Sequence, residues 1–225
     1  MLYAFGFERV GVVVGDLYFV DPRPAKGQEG AEHGVRVELR VLQRGPLKGS
    51  IYSAQPIEVG RPIWRADLLE TVDGRPGSFD RTHYHPVFRD WNPTSRVFTR
   101  ELSADPLGWL GEQLADLDAL LAAAGIPPGT AAPDDAGRLR AVAPEIVAAT
   151  RRLLDQVRSG DLGSAPANRP PTDRPPDNRA PADPAPADPA PADPAPADPA
   201  PDNRAPHDQA PTQAGEPVAI RVGWL

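Results

Sequence analysis

Residues 61–88 read RPIWRADLLETVDGRPGSFDRTHYHPVF, and their periodicity decides the fold class. Between Ile63 and Leu69, Trp64, Ala66 and Leu68 alternate with Arg65, Asp67 and Leu69, the two-residue repeat of a strand with two different faces. Asp73-Gly74 and Pro76-Gly77 interrupt the pattern, and Phe79 to Phe88 returns as a second strand. A β-hairpin is expected, with Arg65 or Asp67 near His83 or His85. A slip of one residue would send them to opposite faces.

On the N-terminal side, Val35 to Leu42 alternates in the same way: Val35, Val37, Leu39 and Val41 face a core, while Arg36, Glu38 and Arg40 face water. Val12–Val14 and Leu17–Val20, separated by Gly15-Asp16, read as a hairpin that Asp21-Pro22 ends. Ala25 to Gly34 is a polar loop in which His33 is solvated. Ser50 to Val59 reads as a further strand pushed to an edge or bulge by Pro56.

On the C-terminal side, Arg96 to Leu102 is expected to close the β region. Asp105-Pro106 is a helix start, because the aspartate can cap free amides and proline loses nothing at the first helical position. Leu107, Leu110, Leu114, Leu117 and Leu121 follow at three- and four-residue steps until Gly125 and Pro127-Pro128 stop the helix. A second helix runs from about Asp134 to Arg158, kinked or divided at Pro144. Glu112, Asp116 and Asp118 on one helix and Arg138, Arg140, Arg151 and Arg152 on the other suggest an antiparallel pair with complementary surfaces, laid over one face of the sheet.

The chain of 225 residues carries 30 prolines and 20 glycines, so part of it cannot pack. That part begins near Gly163. Ala180 to Pro199 is four copies of Ala-Pro-Ala-Asp-Pro, a period of five without an apolar face, which favours a stiff polyproline spacer over a repeat fold. After it, Val218, Ile220, Val222 and Trp224 alternate with smaller or polar residues as in a strand, which docks on its own sheet or on a partner. Own-sheet docking is favoured, since loop closure cost grows only logarithmically with length.

Cysteine is absent, which removes disulfides, thiol nucleophiles and thiolate metal sites. No apolar run approaches the ~20 residues that span a bilayer. The opening MLYAFGFERVGVVVG has neither the basic region nor the cleavage site of a signal peptide, so a cytoplasmic location without membrane attachment is expected. The formal net charge of −7 divides into −3 for residues 1–162 (19 basic, 22 acidic) and −4 for the remainder (5 basic, 9 acidic). Two acidic parts argue against broad nucleic-acid binding.

Thr82-His83-Tyr84-His85 is the candidate site. On an extended strand the two histidines project to one face, about 6.5 to 7 Å apart. That spacing suits shared ligation of a divalent metal such as zinc, with Asp67, Glu70 or Asp80 as the third ligand. Without metal, His83 and His85 could act as general acid and base on a phosphoester held by Arg65 and Arg81. Alternatively, the Arg, Asp, His and Tyr side chains form a hydrogen-bonded network that locks the hairpin, with Trp64, Phe88 and Trp91 packed beside it.

The hydrolytic arrangement resembles, in its clustered histidines beside Arg65-x-Asp67, small bacterial toxin proteins of ribonuclease type. More broadly, VVVGDLYFVDP (12–22), RPIWRADLLE (61–70) and DRTHYHPVF (80–88) resemble an uncharacterised family of short proteins from high-G+C bacteria. That resemblance covers residues 1 to about 124 and implies no catalysis.

The expected architecture is therefore α+β. An antiparallel sheet or partly open barrel (1–102) is followed by a helical pair packed on it (103–162), a disordered Pro/Ala/Asp linker (163–214) and a C-terminal strand (215–225). The expected role is a non-enzymatic interaction or accessory protein with a protein partner. The alternative is a metal-dependent or histidine-based phosphoester hydrolase.

Overall fold

The computed structural model describes residues 1–163 and, for its backbone, 218–222. The linker expected over 163–214 lies, apart from Gly163, outside the described residues. Strands β1 (Leu2–Gly6), β2 (Val10–Val20), β3 (Ala31–Arg44), β4 (Ile57–Thr71) and β5 (His83–His85) form an antiparallel meander. Strand β8 (Val218–Val222) pairs antiparallel with β1, giving the order β5-β4-β3-β2-β1-β8. The sheet has two edges and does not close into a barrel. Two-residue strands β6 (Phe88–Arg89) and β7 (Asn92–Pro93) make a separate small hairpin.

One face of the sheet is the core. The register aligns Val12, Leu39 and Trp64 in one row and Val14, Val37 and Ala66 in the next, and all six are buried. Full burial of such side chains is worth roughly 1.5–3 kcal/mol each, which is why the strand period dominates here. Helices α2 (Pro106–Leu114), α3 (Leu117–Ala123) and α4 (Asp135–Arg158) supply Leu110, Leu114, Leu121, Leu139, Ile146 and Leu153 to the same core. Trp64 stacks on Trp109 of α2 at 5.9 Å between centroids, so it belongs to this face and not beside the histidines as expected.

Several expected boundaries move. Gly15-Asp16 is no turn: β2 continues through it, pairing Gly15 with Arg36 and Asp16 with Val35. Val10, Val12 and Val14 face the helices, whereas beyond Gly15 the apolar residues Leu17 and Phe19 take the opposite phase. That change of phase mimicked a hairpin. The real β1–β2 turn lies at Phe7–Arg9, where the buried Asp135 carboxylate accepts from Glu8 N (2.9 Å), Arg9 N (3.1 Å) and Ala132 N (2.9 Å). Asp135→Asn replaces one acceptor oxygen with a donor against these amides. It should lower unfolding free energy by about 2 kcal/mol, read as a shifted urea midpoint at unchanged slope.

His33 lies in β3 and is half-buried, not a solvated loop residue. Residues 45–56 form the tip between β3 and β4, closed by Gly45 N donating to Pro56 O (2.8 Å), so the expected strand begins only at Ile57. The returning strand shrinks to His83–His85, because a turn at Phe79–Thr82 precedes it and Pro86 follows. The expected strand at Arg96–Leu102 is a single bridge, Tyr84 to Val97. Thr99 then caps helix α1 (Arg100–Ala104), its hydroxyl accepting from Leu102 N at 3.3 Å.

Asp105 caps α2 as expected, accepting from Gly108 N at 3.0 Å. Asp116 then starts α3 by accepting from Ala119 N at 2.9 Å, which divides the expected single helix. Gly125, at φ 66°, ends α3 in the left-handed conformation that glycine tolerates. Helix α4 runs unbroken through Pro144, which lacks the amide that would bond the Arg140 carbonyl; both residues are exposed. Among the described residues no ion pair joins the acidic and basic helix faces. Arg140 instead donates to Ala115 O (2.9 Å), and the guanidinium of Arg152 lies over Tyr3.

Candidate functional site

The sheet's second face carries the charged residues. Directly opposed residues of antiparallel strands share a face, so the register sets Arg36, Asp67 and His83 in one row across β3, β4 and β5, and Glu38, Arg65 and His85 in the next. The two faces left open by the sequence are therefore the same face. It is not a wet one. Pro86 to Phe98 returns over it, placing the Phe98 ring 5.5 Å from His83, Phe88 6.5 Å from His85, and Thr94 O against the His85 ring. Asp67, His83 and His85 are 1%, 2% and 3% exposed.

Asp67 is the centre. Its Oδ1 accepts from Arg36 Nε at 2.7 Å and its Oδ2 from Arg36 Nη2 at 3.4 Å. Arg65 Nε lies 3.0 Å from Oδ2 but makes no hydrogen bond, so that contact is an ion pair out of hydrogen-bond alignment. His83 Nε2 and His85 Nε2 stand 3.4 and 3.7 Å from the same oxygen. Burial alone would raise the Asp67 pKa, but His83, Arg36 and Arg65 outweigh it and hold the carboxyl well below the usual range.

Each imidazole is oriented by a backbone carbonyl. His83 Nδ1 donates to Arg81 O and His85 Nδ1 to Thr94 O, both at 2.8 Å, which leaves the Nε2 of each neutral ring as a lone pair. His85 Nε2 accepts from Arg65 Nη2 at 2.9 Å. Burial, followed by the Arg65 charge, pushes the His85 pKa down to about 4, so this ring is neutral at pH 7. The Asp67, His83 and His85 ligand atoms all lie within 4.8 Å of one another.

The other expected site residues are elsewhere. The Arg81 guanidinium donates to Thr71 Oγ1 (2.8 Å), Gly27 O (2.8 Å) and Glu29 O (3.1 Å), pinning the loop before β3 and not joining the histidines. Glu70 pairs with Arg158 at 2.5 Å, and Asp80 accepts from Thr71 and Ser78. Neither completes the metal-ligand group. Trp91 is exposed, with the Arg40 guanidinium 5.7 Å above its ring, whereas Phe88 does pack beside the cluster, under Arg65.

Two members were not identified from the sequence. The alternation of Val35 to Leu42 puts Arg36 on a wet face, yet its guanidinium binds Asp67. Glu32 falls within the expected 25–34 loop, yet it lies in β3, buried, with neither carboxylate oxygen hydrogen-bonded and Arg96 Nη1 3.6 Å away. Burial pushes its pKa up, with Arg96 and His83 partly offsetting. The even-numbered positions Glu32, Arg36 and Glu38 were a usable signal, since their charges recur in the phase opposite to Val35 and Val37.

Among the described residues no helix is long and apolar enough to cross a membrane. Compared with known proteins, the chain matches no family model, no curated protein and no solved structure.

Proposed function

We propose that this chain is a non-enzymatic binding protein that engages a protein partner through the β3–β4 tip, residues 44–59. The observation that carries the reading is a contrast of exposure. The polar cluster is sealed, while the tip exposes Leu47, Ile51 (81%), Tyr52 (92%), Ile57 and Val59, with Trp91 (61%) also exposed. Exposed apolar surface concentrated on one element is the mark of an interaction site. Arg44 and Lys48 against the single acid Glu58 give the tip a basic rim, which fits a partner surface with an apolar centre and acidic margin.

The test is a photo-crosslinking residue placed at Tyr52 and, as control, at the exposed Glu145. A discrete adduct from position 52 that Ile51→Ser abolishes, with none from position 145, is expected. Hydrolysis of a model phosphodiester by the wild type, lost in folded His85→Ala, would overturn the reading. The hydrolase alternative draws support from the opposed pKa shifts of Glu32 and Asp67, a pattern found in acid–base sites. It requires the segment over His83 and His85 to lift before substrate could reach them.

A further inference from the structure

We propose that Asp67, His83 and His85 form a binding site for a divalent transition-metal ion of the zinc type, at which Arg65 is the resident cation that the metal displaces. With both Nδ1 atoms donating to carbonyls, both Nε2 atoms converge on Asp67 Oδ2, at 3.4 and 3.7 Å. A divalent ion set among the three would accept a lone pair from each.

Geometry favours the metal. Zinc held at about 2.0–2.1 Å by tetrahedral ligands sets neighbouring ligand atoms roughly 3.3 Å apart. The two histidine nitrogens lie 3.4 and 3.7 Å from the shared carboxylate oxygen, so each closes on that oxygen by a few tenths of an ångström, and all three ligand atoms lie within 4.8 Å of one another. The outer partners are also in place. Metal-binding imidazoles donate their other N–H to a carbonyl or carboxylate, and metal-binding carboxylates accept hydrogen bonds of their own. The carbonyls of Arg81 and Thr94 and the Arg36 guanidinium fill those roles here.

Arg65 occupies the position a metal would take. Its Nη2 donates to His85 Nε2 while its unaligned Nε faces Asp67 Oδ2, so one guanidinium spans two of the three ligands. Its directly opposed neighbour on β3 is Glu38, which Arg40 already engages, so a displaced Arg65 would have to share that carboxylate.

Competition gives a test that a plain structural network would fail. Protein stripped with a chelator is titrated with zinc chloride by calorimetry, and with cobalt for its visible absorption. The wild type should bind one equivalent. His83→Ala and His85→Ala should each weaken binding by about 100-fold or more, and changing His33 or His207 to alanine should leave it intact. Arg65→Gln keeps all three ligands and removes the competitor, so it should bind about 10-fold tighter. Absence of stoichiometric binding in both wild type and Arg65→Gln overturns the proposal, as does binding that survives loss of both His83 and His85. Should the histidine variants misfold, Arg65→Gln alone decides: unchanged or weaker affinity sinks the competition.

Discussion

Asp67→Ala should lower unfolding free energy by roughly 3–5 kcal/mol, the range for removing one partner of a buried ion pair. The cost comes from what is left behind. Arg36 and Arg65 both direct charge at this carboxylate, and Arg65 is enclosed between β4 and the Phe88 ring. Its nearest remaining acid, Glu38, is already engaged by Arg40 at 2.6 Å. A loss of this size is a large fraction of the roughly 5–15 kcal/mol that holds an ordinary domain together. Urea unfolding of Asp67→Ala, Arg36→Ala and the double variant measures it, and the double variant should recover part of the loss because it leaves fewer unpaired charges. A cost below about 1 kcal/mol for Asp67→Ala would mean that the pair behaves as a surface salt bridge.

Acid should weaken the fold over a defined window. His85 is held neutral, with its pKa down to about 4 in the folded state, against about 6.5 in an unfolded chain. Below pH 6.5 the unfolded chain takes up a proton that the folded site refuses, so the unfolded state gains. Stability therefore falls between pH 6.5 and 4, by roughly 3 kcal/mol at 1.36 kcal/mol per unit. Asp67 acts lower: its folded pKa is depressed, so its stabilisation is intact above about pH 4 and is lost only as pH falls further. Urea midpoints at pH 7.5, 6, 5 and 4.5 give the curve, and His85→Gln should flatten it. A flat wild-type profile over that range would show that His85 is not held neutral.

Wherever burial alone determined the outcome, the sequence was readable. Val35, Val37 and Leu39, together with Trp64, Ala66 and Leu68, had to face one core, and they do. Asp105-Pro106 had to begin a helix, because both residues satisfy needs of the first turn. The readings that failed depended on what covers the second face. Leu17 and Phe19 changed phase because that face is closed by residues arriving from more than sixty positions later, among them Arg96 over Phe19. Arg36 and Glu38 looked solvated for the same reason. The site was half legible: the HxH spacing put His83 and His85 together, but only the register Asp67 to His83 and Arg65 to His85 could choose their partners. Arg81 was misplaced because its sequence neighbourhood gave no sign that its side chain runs away from the histidines, toward Gly27 and Glu29.

The pairing of β8 with β1 has a consequence for the order in which the chain is made. Gly6 and Val218 sit side by side in the sheet, although they leave the ribosome more than two hundred residues apart. At about 5–20 residues per second, that is a delay of roughly 10–40 s. For that interval β1 keeps one row of amides and carbonyls unpaired, a template for any extended segment that passes. When β8 emerges it covers that edge of β1.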